Sequence, residues 1–283
     1  MKIYKTKESG VVVEDNQQFY YFENEDWDSF INRENLYAII SRDLRAKEPG
    51  IEPDWNKTTV LSPVGRQEIW AAGVTYLRSK DARMKESQSA EGGDFYDKVY
   101  DADRPELFFK STPERASGPF GIVNIRPDST WDVPEPELTL FVSSAGTIEG
   151  YTIGNDMSSR SIEGENPLYL PQAKMYDKSA AIGPCLYVPG QSIFLSNAKI
   201  KLTISRNGHV EFEDEISIDQ MKRTEEELKD YLVAGCSFPH GCYLMTGTGI
   251  VPDDDFTLQP GDIVVIEIEH IGKLENTVGM LGD

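Results

Sequence analysis

The 283-residue chain lacks the hallmarks of several protein classes. No apolar run approaches the roughly 18 residues of a membrane-spanning helix, and the N-terminal stretch MKIYKTKESGVVVEDN has no hydrophobic secretory signal. The three cysteines, Cys185, Cys236 and Cys242, match no zinc-ligand spacing, and their odd number favours reduced thiols. We therefore expect a cytoplasmic protein with no membrane partner.

Positive charge is also scarce. Lys and Arg total 28 against 48 Asp and Glu, which gives a net charge of −20. Such an acidic chain repels nucleic acid and anionic membranes, so neither is expected as a partner. Solubility accounts for most of the carboxylates, and those beside apolar runs remain to be explained.

The order of apolar segments predicts a β-rich α+β fold. Residues 1–62 mix short apolar and charged stretches, which predicts a small N-terminal α/β domain without a chemical motif. Residues 63–283 contain several strand-like runs, a hairpin signal in SRNGHVEF and one amphipathic helix in TEEELKDYLVAGC. They predict a larger second domain, which would carry any catalysis.

Two glutamates open an apolar strand in the segment WDVPEPELTLFVSS. Glu135 and Glu137 are two positions apart, so their carboxylates share one face of a strand. Like charges beside an apolar core are costly unless a cation binds them. Oxygen ligands suit Mg²⁺, with Mn²⁺ or Ca²⁺ also possible. Pro136 lacks an N–H group, which predicts an irregular strand or a sheet edge at this point.

A third carboxylate, Asp156, follows the next strand in EGYTIGNDMSSR. The turn at SAG makes the two strands antiparallel, so Asp156 returns towards the glutamate pair. Three carboxylates with room for water or substrate predict a Mg²⁺ site. The spacing alone favours the alternative of a solvated acidic strand end with Asp156 in a turn.

Two cationic residues follow this carboxylate. Arg160 lies four residues after Asp156 and would share its face if a helix began there, and Lys174 precedes a strand. Beside a metal they would suit a substrate carboxylate or oxyanion; otherwise they are surface charges. The loop TGTGIVP, residues 246–252, either presents hydroxyl and N–H groups to an anion or is an ordinary turn.

The order of these motifs resembles the fumarylacetoacetate hydrolase superfamily. The resemblance runs from about Ile69 to the C-terminus and is carried by GVTY, RPELFFK, PEPEL, GYTIGNDMSSR, QAKMYDKSAAIGP, TGTGI and GDIVVIEIEHIGKLENTV. It implies a β-rich catalytic domain that assembles as a homo-oligomer, either a dimer or a tetramer. It also implies metal ligands at Glu135, Glu137 and Asp156. Residues implied to contact substrate are Arg78, Arg160, Lys174 and Thr248, with Lys174 also catalytic.

One departure from the superfamily pattern separates its branches. The branch that hydrolyses C–C bonds has a water-activating histidine about where this chain has Ser79, and all three histidines here come much later. The stretches GVTYLRSKDARMKES, RPELFFK and SSRSIEGENPLYLPQAK are similar to the branch of 2-keto-3-deoxy-D-arabinonate (equally, D-xylonate) dehydratases. This similarity implies acid–base catalysis by Glu106. The alternative for Glu106 is a buried ion pair with Arg104 or Lys110.

The resemblance implies a metal-dependent lyase acting on a small 2-keto acid. The hypothesis is that the cation stabilises an enolate, after which water is eliminated to give 2,5-dioxopentanoate. Two alternatives stay open: a metal-dependent acylpyruvate-type hydrolase or decarboxylase on the same fold, and a non-enzymatic acidic metal-binding domain. The segment SAEGGDFYDKVYDADRP predicts either a covering lid or a loop at a subunit interface.

Overall fold

The computed structural model describes residues 1–55, 59–77, 99–190 and 195–282. The strands within these ranges are β1 (Lys2–Thr6), β2 (Gly10–Asp15), β3 (Gln18–Phe22), β4 (Glu68–Gly73), β5 (Glu106–Ser111), β6 (Ala116–Ser117), β7 (Ile122–Ile125), β8 (Asp132–Val133), β9 (Pro136–Val142), β10 (Ile148–Asp156), β11 (Ser158–Ser159), β12 (Ala180–Tyr187), β13 (Lys199–Arg206), β14 (His209–Ser217), β15 (Cys242–Met245), β16 (Ile263–Ile268) and β17 (Gly272–Met280). The helices are α1 (Trp27–Ile31), α2 (Leu36–Leu44), α3 (Arg160–Glu165), α4 (Leu170–Lys174) and α5 (Glu225–Val233).

The strands form two main sheets. The larger runs in the order β3-β2-β1-β12-β10-β9-β15-β4-β5, with β6 parallel to β12. The smaller runs in the order β14-β13-β16-β17-β7, and β8 pairs separately with β11. Short helices connect these strands, which confirms the expected β-rich α+β fold. No described helix is both long and apolar enough to cross a membrane.

Both faces of the large sheet are covered. One face contributes Leu138, Leu140 and Ile153 to a core shared with Ile200 and Leu202 of the smaller sheet. The opposite face packs Ile69, Phe141 and Tyr243 against side chains of α1 and α2. Each fully buried Leu, Ile or Phe stabilises the fold by about 1.5–3 kcal/mol. Strand β9 is consequently buried along its whole length.

The N-terminal strands extend this large sheet. Strand β1 pairs antiparallel with β2 along its length and with β12 at Lys2 and Ile3. The N-terminal region therefore shares a sheet with strands of the predicted catalytic domain. The division of the chain at residue 62 stays a prediction.

Two hairpins confirm local expectations from the sequence. Asn207 and Gly208, with φ of 52° and 80°, form the turn between β13 and β14. Strands β9 and β10 pair antiparallel, so that Pro136 lies opposite Asn155. Pro136 is the first residue of β9, and the pairing of β9 with β15 extends only over Thr139–Val142. Among the described strands, Pro136 is therefore paired on the β10 side alone, which agrees with the expected edge at this point.

Candidate metal and substrate site

Three buried carboxylates meet at the ends of β9 and β10. One oxygen from each of Glu135, Glu137 and Asp156 lies within 4.8 Å of the others. The antiparallel register places Glu137 opposite Gly154, and the Asp156 N–H donates to the Glu135 carbonyl at 2.9 Å. The hairpin therefore brings together the three residues predicted from the sequence. Their burial contradicts the alternative of a solvated strand end.

The donor set fits a hard divalent cation. Glu137 Oε2 accepts a hydrogen bond from the Gly247 N–H at 2.6 Å, while its Oε1 is buried without a hydrogen-bond partner in the described part of the chain. Burial raises the pKa of Glu137 well above its usual range, and the charges of Asp156 and Glu135 raise it further. A cation ligated by oxygen would satisfy Oε1 and offset the repulsion.

The two predicted cationic residues flank these carboxylates. Lys174, the last residue of α4, donates to Glu135 Oε2 at 2.8 Å and to Asp156 Oδ2 at 3.0 Å, and also to the Ser158 hydroxyl. Arg160 Nη2 lies 2.8 Å from Glu135 Oε1. Both cations are buried, which contradicts the surface-charge alternative.

The predicted helical relation between Arg160 and Asp156 is wrong. Asp156 ends a strand, and α3 begins only at Arg160. The short strand β11 between them turns the chain back towards the triad, where the Arg160 N–H donates to the Trp131 carbonyl at 2.8 Å. Tertiary contacts, rather than helical periodicity, bring Arg160 to Glu135.

A third buried cation, Lys110, was not predicted as a site residue. Its Nζ lies 2.6 Å from Asp156 Oδ1 and donates to the carbonyls of Met157 at 2.9 Å and Lys174 at 2.6 Å. Burial lowers the pKa of Lys110, and the nearby Asp156 charge opposes that shift. A lysine within the apolar strand ELFFKS is the signal that identifies it, because an isolated charge there needs a buried partner.

A small cavity opens beside this cluster. Its lining consists of Ala72, Gly73, Val74, Phe108, Glu135, Asp156, Arg160, Lys174 and Thr248. Val74 has a φ of +53°, which is strained for a β-branched residue, and such strain concentrates at functional sites. Thr248 is buried in the lining, and its hydroxyl accepts from the Ile250 N–H at 3.2 Å.

Glu106 lies next to the cavity wall. It opens β5 opposite Gly73, and a β-carbon placed on Gly73 would lie 2.3 Å from Glu106 Oε2. The alternative of a buried ion pair with Arg104 or Lys110 stays a prediction. The absence of a side chain on Gly73 thus allows a carboxyl group to approach the cavity.

Two sequence predictions fall outside the described residues. Arg78 and Ser79 lie there, as do residues 89–98 of the predicted lid. The described residues 99–103 are held by the segment before α5. Lys222 Nζ contacts Asp101 Oδ1 at 2.8 Å, and Arg223 Nη1 donates to the Asp103 carbonyl at 3.2 Å.

Sequence similarity links the chain to known proteins. A family model described as fumarylacetoacetate (FAA) hydrolase C-terminal matches residues 69–279. The probable 2-keto-3-deoxyxylonate dehydratase of Haloferax volcanii is 50% identical over 216 residues, which cover 76% of this chain and 73% of that protein. The 2-dehydro-3-deoxy-D-arabinonate dehydratase of Saccharolobus solfataricus is 42% identical over 221 residues, covering 77% and 74%.

A solved structure extends the similarity to the whole chain. 2-Keto-3-deoxy-D-arabinonate dehydratase, complexed with magnesium and 2,5-dioxopentanoate, superposes with a TM-score of 0.85 and is 33% identical. The match covers 99% of each chain. The N-terminal strands are therefore part of the shared fold, although the family model begins only at residue 69.

Proposed function

The chain belongs to the fumarylacetoacetate hydrolase family, and we propose that it is a Mg²⁺-dependent hydro-lyase. Its substrate is a 2-keto-3-deoxy pentonate, and the product of dehydration is 2,5-dioxopentanoate. The observation that carries the proposal is the buried carboxylate triad surrounded by cations beside a cavity. Relatives of 50% and 42% identity that are named as dehydratases of this substrate class support it.

Glu135, Glu137 and Asp156 would hold the cation. When bound, Mg²⁺ supplies a Lewis acid next to the 2-keto group. The two flanking cations, Arg160 and Lys174, lie in the same lining and bind negative charge on the substrate. Their low exposure strengthens this attraction, because little water is present to screen it.

Glu106 is the proposed proton-transfer residue. Dehydration removes a proton from the carbon next to the ketone and protonates the departing hydroxyl group at the following carbon, which leaves an unsaturated 2-keto acid. A tautomerisation that removes a proton from the terminal carbon and returns one to the chain then gives the aldehyde. Glu106 lies against Gly73 of the cavity wall and is half-buried, so it can exchange protons with a substrate in the cavity. Apolar lining from Val74 and Phe108 limits the access of water. Arg78 and Thr248 complete the proposed substrate contacts.

The decisive experiment is incubation of purified protein with Mg²⁺ and 2-keto-3-deoxy-D-pentonate. Loss of one water, measured by mass, together with a new aldehyde is the expected result. Glu106→Gln should keep Mg²⁺ affinity within a factor of about two but lower turnover by roughly 10²–10⁴-fold. Cleavage or decarboxylation of an acylpyruvate without dehydration would instead identify the alternative enzyme. Mg²⁺ binding unaffected by any 2-keto acid would favour a non-enzymatic role.

We also propose that the protein is a cytoplasmic homo-oligomer. Phe120 is 75% exposed although its φ is +61°, and Ile122 beside it opens the edge strand β7. An exposed aromatic residue held in that conformation favours burial against a second copy. Sedimentation analysis should give a dimer or tetramer that Phe120→Asp weakens. A wild-type monomer at micromolar concentration would contradict the proposal.

A further inference from the structure

We infer that Thr75 is a positioning residue for the metal ligand Glu137, acting through the peptide group between Thr246 and Gly247. The inference rests on the proposed function only in assigning Glu137 to the metal. Thr75 is fully buried and does not belong to the cavity lining. It lies just after Val74, where the chain leaves the cavity wall.

Thr75 is bonded to two other segments of the chain. Its Oγ1 donates to the Thr246 carbonyl at 2.7 Å, which joins segments 171 residues apart. Its own carbonyl accepts from the Lys222 N–H at 2.9 Å. Because both the side chain and the backbone are bonded to other segments, the hydroxyl has a fixed position.

The Thr75 hydroxyl contacts one end of a peptide group. The Thr246 carbonyl and the Gly247 N–H are opposite ends of the same planar peptide. Thr75 donates to the carbonyl, and the N–H donates to Glu137 Oε2 at 2.6 Å. One rigid peptide group therefore connects the Thr75 hydroxyl to the Glu137 carboxylate. A hydrogen bond at its oxygen also polarises the N–H and strengthens the bond that it donates.

A close fit keeps this peptide group in place. Gly247 has a φ of +92°, and a β-carbon on it would lie 2.0 Å from Thr75 Oγ1 and 3.0 Å from the Ala72 carbonyl. Only glycine accommodates both the φ and the contact. Thr75 and Gly247 therefore pack directly against each other, and the peptide cannot rotate without losing the bond to Glu137.

The two carboxylate oxygens of Glu137 therefore have different roles. The N–H of Gly247 occupies Oε2, which orients the carboxylate and leaves the buried Oε1 for the cation. Removal of the Thr75 hydroxyl leaves the Thr246 carbonyl without this hydrogen bond, so that the peptide group is held less firmly. Glu137 then samples orientations that bind the cation less well, although Thr75 itself touches neither the cation nor the substrate.

The test compares two buried threonines. Thr152 is as buried as Thr75, and its Oγ1 donates to the Gly183 carbonyl at 3.1 Å. Thr75→Val should weaken Mg²⁺ binding, measured by isothermal titration calorimetry, by about tenfold. Thr75→Ser should restore the affinity to within about twofold, and Thr152→Val should leave it unchanged. Equal Mg²⁺ affinities of Thr75→Val and Thr152→Val would overturn the inference.

A second pair of variants keeps the test decisive if Thr75→Val does not fold. Gly247→Ala is matched by Gly241→Ala, where φ is +74° and the added β-carbon meets the Val142 carbonyl at 2.7 Å. Only Gly247→Ala should lower Mg²⁺ affinity; an equal effect of both would overturn the inference. Both tests measure metal binding, so a wild-type protein that binds Mg²⁺ without dehydrating a 2-keto acid would refute the proposed function alone.

Discussion

The outer face of the small sheet and the buried site both contain Lys–Glu pairs of nearly equal length. Lys201 lies 2.9 Å from Glu213, with side chains 39% and 50% exposed. Lys174 lies 2.8 Å from Glu135, with side chains 1% and 6% exposed. Exposed pairs contribute about 0–1 kcal/mol because water screens them. Loss of one partner of a buried pair costs roughly 3–5 kcal/mol, because an uncompensated charge remains.

The distance between the two charged groups of an ion pair therefore does not indicate how much the pair contributes to stability. The surface pairs, which also join Lys199 to Glu215 and Lys273 to Glu267, alternate sign across exposed strands. They suit a solvated sheet face. The buried charges, by contrast, were removed from water at considerable cost, and a hydrophobic core would be as stable without them. Their retention points to binding and catalysis, and four substitutions test the comparison.

The largest effect is expected from Glu135→Gln. The substitution preserves shape but removes a proposed metal ligand and the carboxylate partner of Lys174 and Arg160. We expect Mg²⁺ affinity to fall by more than about 100-fold and turnover to become undetectable. Calorimetric titration with Mg²⁺ and the dehydration assay measure the two quantities. Retained turnover at wild-type Mg²⁺ concentration would rule out the metal assignment.

A smaller effect is expected from Lys110→Met. The variant leaves the buried Asp156 without one of its cations, so the metal-free protein should lose about 3–5 kcal/mol of unfolding free energy. Mg²⁺ would supply the missing positive charge, and it should therefore raise the melting temperature of this variant more than that of the wild type. Urea unfolding in EDTA and thermal melts with Mg²⁺ test the two statements. An unfolding free energy near the wild-type value would show that Lys110 contributes as little to stability as the exposed lysines.

The triad could be predicted from the sequence because its geometry is local. An i, i+2 pair and a short hairpin fix the positions of Glu135, Glu137 and Asp156 almost without tertiary information. The Asn-Gly turn at residue 207 was predictable for the same reason, since it depends only on backbone conformation.

The missed parts of the site depend on contacts between distant segments. Lys110, near the end of β5, reaches Asp156 at the end of β10, and Thr75 meets Thr246 across 171 residues. No spacing in the sequence encodes these contacts. Strand order in the sheet is likewise a tertiary property, so the sequence did not indicate that β9 lies between β10 and β15.

Asp132 is a buried carboxylate outside the triad and should give a pH-dependent effect. Burial raises its pKa to about 6, against about 3.9 in an unfolded chain. The folded state therefore binds this proton more tightly. That contribution is complete below about pH 4 and is lost as the pH rises through 6. Between pH 4 and 7 the wild type should lose roughly 1–2 kcal/mol relative to Asp132→Asn, measured by urea unfolding in EDTA. A difference that does not change with pH would show that Asp132 titrates normally.

The smallest effect is expected from Lys201→Met. It makes the same chemical change as Lys110→Met, but in a solvent-exposed ion pair. Water solvates Glu213 once its partner is gone, so no buried charge results. We expect the unfolding free energy to change by less than about 0.5 kcal/mol and Mg²⁺ affinity to stay at the wild-type value. Urea unfolding of the two methionine variants side by side measures the difference directly. An equal loss of unfolding free energy in Lys201→Met and Lys110→Met would show that burial does not determine how much these lysines contribute to stability. The functional interpretation of the buried cations would then lose its energetic basis.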